Sequence, residues 1–496
     1  MTTVQDARAG DAERTVVLPR IATDPVDELV ERVRPQLGRA VDALQVAAAL
    51  EAAGHTDRSA RAEYGYNDVF ALASDVFRRL QPAAQATNGT VGVSPSAASS
   101  PVGATTYRLR DGLRPISHGP LLVLPSAAFP AVLAVVGRPH LLPGLLLAGT
   151  VGWVYSGVVG YSAHRLAGLG RPRSVSRLLR TSVLIGVALG VALGVALAPH
   201  AGLPLAGMVV FLLAYQMAST LLVFYRRESW LAAAMTPAFV SGVIYLGFGG
   251  STSRRLAVAA AAAGVVAALV AALWATRSGF DAQEPTVRDR LWPTASTLLG
   301  VAGYGLCSAV LIFHAQAPYL LDRFDIAVAA APLFLAMGFV EWRVSRFWPE
   351  MTVSTRRVGR PGEFVAGVWH TIGRETTACL AASAALGAAL VAGLPHAGVL
   401  TAAGAVTIAV YVALTGAYYL AFLLAGRGRY GWLCLSMALV VALHVAVGAL
   451  LHVAPLLGQG GPVLADALLY LGSVLVLQAL LVLGLIPVIG QIRHYR

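Results

Sequence analysis

The chain has 496 residues, of which 57% are hydrophobic and only 12% are charged. Apolar stretches long enough to cross a bilayer recur along it, and the core of a soluble domain could not absorb them. The formal net charge of +12 at pH 7 comes mostly from arginines in short loops, so it indicates membrane topology rather than nucleic-acid binding. The composition predicts an all-α, polytopic membrane protein with no nucleic-acid partner.

Two further features of the composition carry no chemistry. All 37 Lys and Arg residues are arginine, a bias typical of a GC-rich genome such as that of an actinobacterium. The three cysteines, Cys307, Cys379 and Cys434, fall in apolar stretches and are interpreted as small packing residues. No disulfide, metal site or cofactor is predicted from them.

The region before the first apolar stretch differs from the rest. Residues 1–24 are polar and lack an apolar segment, which predicts a disordered N-terminus rather than a signal peptide. Residues 25–82 have apolar residues at helical spacing and predict a small cytoplasmic helical domain, with Thr56 and Asn67 as helix caps. So small a core favours docking onto the membrane domain or onto a partner such as a cytoplasmic glycosyltransferase. Residues 83–114 are interpreted as a flexible linker.

Hydropathy predicts twelve membrane spans in two lobes, residues 115–277 and 291–496, joined by a cytoplasmic loop at 278–290. The predicted spans are Gly119 to Gly137, Leu141 to Ser162, Thr181 to Ala198, Leu203 to Tyr225, Trp230 to Gly247, Leu256 to Ala275, Leu291 to Gln316, Ile326 to Trp342, Thr376 to Leu394, Val399 to Leu424, Gly431 to Val453 and Val463 to Ile489.

The distribution of arginine supports this number of spans. Most arginines after the first span lie in loops that follow even-numbered spans or in the C-terminal tail. Loops that follow odd-numbered spans hold only Arg138, Arg254, Arg255 and Arg323. Because positive loops stay in the cytoplasm, both termini are predicted to be cytoplasmic.

A repeated tetrapeptide indicates that the two lobes are duplicates. Pro-His-Ala-Gly occurs at Pro199 to Gly202 and again at Pro395 to Gly398, an offset of 196 residues that also carries Tyr215 onto Tyr411. Six spans per half is an even number, so both halves have the same orientation. They are predicted to be parallel repeats related by an axis along the membrane normal, an arrangement typical of transporters.

Few ionisable residues lie inside the predicted spans, and no acid lies inside a span of the first half. Glu341 with Arg343, and Arg374 with Glu375, are interpreted either as interfacial ion pairs or as a gate. His444 is expected near mid-membrane, bonded between helices or carrying protons, and Asp466 near the outer end of span 12 is either solvated or in contact with substrate.

Uncharged side chains complete the candidate pathway, since aromatic faces and amides suit sugars. The predicted substrate-pathway residues are Tyr215, Gln216, Tyr304, Gln316, Glu341, Arg343, Tyr411, His444 and Asp466. No catalytic residue is predicted.

A membrane-embedded glycosyltransferase that uses a polyprenyl sugar is a weaker alternative. Such enzymes need carboxylates in an early outer loop, and the first outer loop here, Arg138 to His140, has none. Asp322 and Asp325 form the acidic pair on the outer side, and catalysis would have to reside there. An assembly scaffold is the other non-transporting alternative.

The architecture resembles the multidrug/oligosaccharidyl-lipid/polysaccharide (MOP) exporter superfamily over residues 115 to 496. Within it, the segment Pro332 to Trp342, with its arginine-rich exit, is similar to a helix end of Pel-type exopolysaccharide exporters. This resemblance implies alternating access around a cavity between the lobes.

Major-facilitator transporters of small molecules are the rival family. The segments Gly160 to Arg165 and Gly170 to Arg173 resemble their loop between spans 2 and 3. His164, however, stands where that pattern has aspartate, and the glycine spacing differs. The expected function is therefore export of a polysaccharide or lipid-linked glycan across a bacterial inner membrane, with membrane lipid and glycan as partners.

Overall fold

The computed structural model describes residues 24–37, 43–86, 115–279, 292–355, 361–453 and 463–489, and the regular elements in these ranges are all helical. The predicted disordered N-terminus, most of the predicted linker and most of the inter-lobe loop lie outside the described residues. The described helices form two compact units, divided near residue 100. Each unit is considered by itself.

The N-terminal unit contains four helices: α1 (Pro25–Leu37), α2 (Ala43–Ala52), α3 (Asp57–Tyr64) and α4 (Val69–Ala86). Leu29, Leu50 and Leu72 are buried in their common core. The described part of the segment is helical. Its cytoplasmic location and its docking to a glycosyltransferase stay predictions.

One of the two predicted helix caps in this unit is wrong. Thr56 caps α3, because its hydroxyl accepts a hydrogen bond from the amide of Ser59 at 3.4 Å. At α4, Asn67 was expected to be the cap, but the carboxylate of Asp68 accepts from the amide of Ala71 at 2.7 Å. Asp68 directly precedes the first helical residue, the position from which a capping side chain reaches the free amides of the first turn.

Twelve helices of the second unit are long and apolar enough to cross a membrane, which confirms the predicted number. They are span 1 (His118–Val136), span 2 (Arg138–Gly168), span 3 (Pro172–His200), span 4 (Gly202–Phe224), span 5 (Glu228–Phe248), span 6 (Ser251–Ala275), span 7 (Ala295–Phe313), span 8 (Phe324–Met351), span 9 (Gly362–Ala397), span 10 (Ala402–Ala425), span 11 (Tyr430–Leu450) and span 12 (Val463–Ile489). The chain is a multi-pass membrane protein.

Several spans are irregular. Span 1 consists of the helices His118–Val123 and Phe129–Val136 joined by the 3-10 turn Leu124–Ala128, and span 8 consists of Phe324–Ala327 and Ala331–Thr355. The helix Pro361–Gly393 of span 9 ends in the 3-10 turn Leu394–Ala397, and further 3-10 turns occur at Thr276–Gly279 and Ala317–Tyr319.

Some helices begin well before their apolar stretch. Span 3 begins at Pro172 rather than Thr181, and span 9 at Gly362 rather than Thr376. Arginine and glutamate are compatible with helix, and their stems can lie along apolar surface while the charge reaches water. Hydropathy therefore locates the part of a helix that is embedded in lipid and misses its polar extension.

Spans 1–6 form lobe 1 and spans 7–12 form lobe 2, each with its own apolar core. The fourth helix is the central one in each lobe. Span 4 and span 10 are the most buried spans of their lobes: 44% and 78% of their most apolar 18-residue stretches is buried. In span 10 the buried residues include Tyr411, Tyr418 and Tyr419. The two lobes thus have the same internal plan, as duplication predicts.

The contacts between the lobes also follow a two-fold pattern. Span 1 packs against span 8, and span 7 packs against span 2. A rotation that exchanges the lobes maps one contact onto the other. Glycine permits close backbone approach in both: a Cβ atom at Gly119 would lie 2.9 Å from the carbonyl oxygen of Phe334, and one at Gly305 would lie 3.3 Å from the Cα atom of Val154.

The repeated tetrapeptide has a common structural role. Both copies close a helix, and the final glycines, Gly202 and Gly398, have φ angles of 80° and 67°. Residues with a Cβ atom seldom adopt such angles, so the glycine of the motif is what lets the chain turn into the next span.

The duplicated tyrosines join the same pair of helices in each lobe. The hydroxyl of Tyr215 in span 4 donates to the carbonyl of Leu121 in span 1 at 3.0 Å. The hydroxyl of Tyr411 in span 10 donates to the carbonyl of Ile312 in span 7 at 2.7 Å. Leu121 lies near the start of its span and Ile312 near the end, so the first helices of the two lobes are joined to the fourth at different depths.

Candidate functional site

The two ends of the membrane unit differ in charge. The basic end carries the arginine-rich loops after the even-numbered spans, and the opposite end carries Arg138 and Asp322. The predicted pathway residues lie in four separate places. Glu341 and Tyr304 lie at the contact between the lobes near the basic end, and Arg343 lies against span 9. Tyr215 and Gln216 lie inside lobe 1, whereas lobe 2 encloses Gln316, Tyr411, His444 and Asp466. Their role as a substrate pathway stays a prediction.

A charged cluster connects the lobes near the basic end. His118, the first residue of span 1, has its Nδ1 atom 2.8 Å from a carboxylate oxygen of Glu341 in span 8. Its Nε2 atom lies 3.4 Å from a carboxylate oxygen of Glu228, the first residue of span 5. Only a protonated imidazole carries a hydrogen on both nitrogens, so it alone can donate to both carboxylates at once. We call these three residues the charged corner.

The predicted pairing of Glu341 with Arg343 is wrong. Glu341 contacts His118 of lobe 1, whereas Arg343 is paired with Glu375 of span 9. Residues two apart on a helix point to different sides, so the two side chains meet different neighbours. The other predicted pair is confirmed: Arg374 Nε lies 3.0 Å from Glu375 Oε1.

An aromatic cluster lies on the two-fold-related set of helices. Tyr430, the first residue of span 11, lies with its ring 6.3 Å from that of Tyr161 in span 2 and 6.4 Å from that of Tyr304 in span 7. Exchange of the lobes relates spans 2, 7 and 11 to spans 8, 1 and 5, which carry the charged corner. We call Tyr161, Tyr304 and Tyr430 the aromatic corner; related positions of the two lobes thus differ in chemistry.

A polar contact also crosses between the lobes at the opposite end. Arg138, which begins span 2, pairs with Asp322 and donates to the carbonyl of Leu321 at 2.9 Å. The side chains of Arg138 and Asp322 are 59% and 70% exposed. Because water screens such a pair, it contributes little to stability and can open readily.

Asp325 is engaged in the structure of lobe 2. Its carboxylate is buried and accepts hydrogen bonds from the amide and the hydroxyl of Thr401, at 3.0 and 2.6 Å. Thr401 in turn caps span 10 through the amide of Gly404 at 3.1 Å. The carboxylate therefore ties the beginning of span 8 to the beginning of span 10.

His444 and Asp466 meet inside lobe 2. His444 Nε2 lies 3.1 Å from Asp466 Oδ1, and both side chains are buried. The interpretation of Asp466 as solvated is wrong, because spans 7, 11 and 12 enclose it. His444 is hydrogen-bonded between helices, one of its two predicted states, and His314 lies beside it with ring centroids 4.9 Å apart.

Gln316 and Tyr411 extend the same polar region. Gln316 Nε2 donates to the carbonyl of Ile326 at 2.7 Å, and its Oε1 atom accepts from the hydroxyl of Tyr411. These bonds tie the end of span 7 to spans 8 and 10. In lobe 1, by contrast, the side chain of Gln216 lies against Gly152 of span 2, where a Cβ atom would be 3.0 Å from Gln216 Nε2.

Among the described residues, one cavity lies in lobe 2 and another on lobe 1, and the charged corner lines neither. The smaller, about 10 Å³, lies in lobe 2 and is lined by polar and apolar groups: Ala315, Gln316, Tyr319, Ile326, Thr407, Val463, Asp466, Ala467 and Tyr470. The larger, about 420 Å³, is an apolar groove on lobe 1 lined by the stacked rings of Trp230 and Trp274 and by Ala267, Val270 and Ala271. Within the described ranges, no group of three or more His, Cys, Asp or Glu side chains could hold a metal ion.

The sequence analysis missed three functional candidates. His118 and His314 were not considered, and Glu228 was assigned to a loop although it begins span 5. Each lies within a few residues of the end of an apolar stretch, where hydropathy cannot distinguish a solvated side chain from one enclosed by neighbouring helices. A search for histidine at predicted span ends would have identified the two histidines.

Comparisons with known proteins give two solved structures with a similar arrangement. One, an outward-facing conformation of a multidrug resistance MATE family transporter of the MOP superfamily, has 13% identity and a TM-score of 0.49, with 77% of this chain and 94% of that chain covered. The other, a MOP superfamily transporter from Pyrococcus furiosus, has 14% identity and a TM-score of 0.49, with 78% and 94% covered. No family model and no curated protein matches. Both neighbours are described as members of the superfamily that the sequence resembles, and neither description concerns Pel-type exporters.

Proposed function

We propose that the protein is an inner-membrane transporter that exports a polysaccharide or lipid-linked glycan by alternating access. The observation that carries this proposal is the pair of six-span lobes related by a two-fold pattern of contacts, with polar groups bridging them at both ends. Two similar lobes can rock about a site held between them. The bridging groups then act as gates that part in turn.

The two gates differ in how much free energy it costs to open them. At the opposite end, the Arg138–Asp322 pair is exposed, so its separation costs little free energy. At the basic end, His118 is half-buried between Glu228 and Glu341, and parting it from both carboxylates needs water to replace those bonds. When two conformations of the lobes differ by a few kcal/mol in free energy, a bound substrate can shift the population from one to the other.

The aromatic corner supports a sugar as the cargo. Tyr161, Tyr304 and Tyr430 provide ring faces for the CH surfaces of a sugar and hydroxyls for its polar edge. Trp153 of span 2 and Phe334 of span 8 add a second aromatic pair across the lobe contact, with centroids 6.5 Å apart. An uncharged lining of this kind suits a chain of neutral sugars.

The N-terminal unit has the features of a docking module. Leu44 of α2 and Phe70 of α4 are 65% and 52% exposed, and apolar side chains exposed in this way favour a protein partner. We propose that this partner is the cytoplasmic glycosyltransferase that makes the exported glycan.

The alternating-access proposal can be tested by locking each gate. In a chain with the three native cysteines replaced, His118→Cys with Glu341→Cys places a thiol pair at the basic end, and Arg138→Cys with Asp322→Cys places one at the opposite end. A cleavable bifunctional thiol reagent is expected to stop the appearance of surface glycan with either pair, because the lobes must separate at both ends, and cleavage is expected to restore it.

Single-cysteine chains treated with the same reagent provide the controls. Export at an unchanged rate with either gate locked would contradict alternating access. Normal surface glycan together with lost efflux of a small molecule would instead favour the major-facilitator type of cargo.

A further inference from the structure

Lobe 2 contains a cluster of buried titratable groups that the gates do not use. His314 of span 7, His444 of span 11, and Asp466 and Tyr470 of span 12 are each less than 5% exposed. The ring of Tyr470 stands edge-on to that of His314 at 4.8 Å and to that of His444 at 5.7 Å. Ionisable groups enclosed at membrane depth are costly and mark ion or proton pathways by default.

The hydrogen bonds of the two imidazoles fix which nitrogen carries the hydrogen. His314 Nδ1 lies 3.0 Å from the carbonyl of Leu311 and 3.2 Å from that of Val310, and a carbonyl can only accept. His444 Nε2 faces the carboxylate of Asp466 at 3.1 Å and donates to it when that group is ionised. In the neutral rings, the lone pairs are therefore on His314 Nε2 and His444 Nδ1.

Both of these lone-pair nitrogens are buried, and within the described part of the chain neither has a hydrogen-bond partner. A buried acceptor without a partner is rare, because it has lost its bond to water and gained nothing in return. A proton added to either nitrogen would create a cation next to the carboxylate of Asp466. Two imidazolium ions with centroids 4.9 Å apart would repel each other, so the cluster takes up one proton.

The other titratable groups around the cluster are neutral hydroxyls or lie at its rim. Span 10 contributes Tyr411, whose hydroxyl is bonded to Ile312 and Gln316. The turn between spans 7 and 8 contributes Tyr319, with Arg323 further along that turn. Asp466 is thus the carboxylate that compensates the added charge.

A route for the proton leads from the opposite end. The cavity of about 10 Å³ has Asp466, Tyr319 and Gln316 in its wall, which is about the space that one water molecule needs. Tyr319 lies in the turn at the opposite end. Burial, with the negative charge of Asp466 as a second cause, raises the pKa of Tyr319 to about 12, so its hydroxyl keeps its hydrogen at neutral pH.

We propose that His314, His444 and Asp466 form a proton-binding site in lobe 2 that is loaded from the opposite end. The proton enters from water in the cavity at Asp466, and the imidazolium that the His314–His444 pair then forms is held by the Asp466 carboxylate. No bond other than the one to the proton forms or breaks. Use of this proton to drive the lobes rests on the proposed transport function, whereas the binding of the proton does not.

The test uses the full chain in lipid nanodiscs, with its 11 histidines labelled with 15N and followed by NMR from pH 5 to pH 9. Imidazole 15N shifts report both the tautomer and the charge of each ring, and spectra of His314→Gln and His444→Gln assign the two signals. We expect a single one-proton step for the cluster as a whole. We expect it to disappear in Asp466→Asn, because a buried imidazolium without a counter-charge is too costly to form.

Asp322→Asn, which removes an exposed carboxylate at the same end of the molecule, is the matched control and is expected to keep the step. Rings that keep one charge state from pH 5 to pH 9, or a step that Asp466→Asn leaves in place, would overturn the proposal. If Asp466→Asn does not fold, two other results decide whether the proton site exists. The step must occur in the wild type and must be lost in His444→Gln. No substrate is present, so the outcome is independent of whether the cargo is a glycan.

Discussion

At the scale of single residues, the role of a polar side chain depends on whether neighbouring helices enclose it. Asp322 and Asp325 are three residues apart, yet Asp322 is exposed beside Arg138 and Asp325 is buried against Thr401. The enzyme alternative would need one of them as a general base on the outer side. Both have partners that account for their presence, Asp325 as a link between spans 8 and 10 and Asp322 in the exposed pair with Arg138.

The two aspartates give a prediction of stability. Asp325→Asn removes the charge from a buried acceptor of three hydrogen bonds, so we expect it to lower the free energy of unfolding by about 1–3 kcal/mol. Asp322→Asn, at an exposed pair, is expected to change it by less than about 0.5 kcal/mol. Thermal unfolding of the purified proteins in one detergent measures both. Equal effects of the two changes would contradict the structural role of Asp325.

At the scale of elements, small residues decide how closely the helices approach. Gly119 lies at the contact of span 1 with span 8, and Gly338 of span 8 faces the residues just before span 1: a Cβ atom at Gly338 would lie 2.8 Å from the carbonyl oxygen of Ile116. Contacts at that distance force a backbone to move. Hydropathy places the glycines in apolar helices but carries no information on which helix each one meets.

This contact predicts the effect of one methyl group. Gly338→Ala is expected to push span 1 from span 8, to lower the unfolding temperature and to reduce export, at a cost of about 1–3 kcal/mol from overpacking. Gly373→Ala in span 9 is the matched control, because a Cβ atom there meets nothing within 4 Å, and a slight gain in stability is expected from helix propensity. Equal unfolding temperatures of the two variants would contradict the proposed close contact at Gly338.

At the scale of the whole molecule, the two-fold relation joins the separate observations. The same rotation relates the contacts of spans 1 and 8 to those of spans 7 and 2, and the charged corner to the aromatic corner. The lobes are alike in plan and unlike in chemistry. The buried histidine–aspartate cluster lies in lobe 2, and lobe 1 has the open groove at Trp230 and Trp274.

The orientation of the molecule in the membrane is a prediction that labelling can check. Single cysteines at His200 and His396 are expected to react with an impermeant thiol reagent added outside cells, and those at Arg173 and Arg427 only after the membrane is opened. The structure places His200 and His396 at one end and Arg173 and Arg427 at the other. Outside labelling at Arg173 would reverse the assignment. A cysteine at Arg357 is expected to react only from inside and one at Gln459 from outside; both positions lie outside the described residues.

The number of spans, their order and the duplication could be read from the sequence because each depends on properties local to the chain. Apolar length sets the spans, arginine in the loops sets the alternation, and the glycines that end the Pro-His-Ala-Gly motifs allow the same positive φ angle in both lobes. The contacts of side chains depend instead on which helices meet. Glu341 pairs with His118, 223 positions away, and Asp466 is buried because spans 7 and 11 cover it. Only the tertiary structure decides such contacts, because burial removes water and thereby determines whether a polar group is solvated, bonded or able to bind a proton.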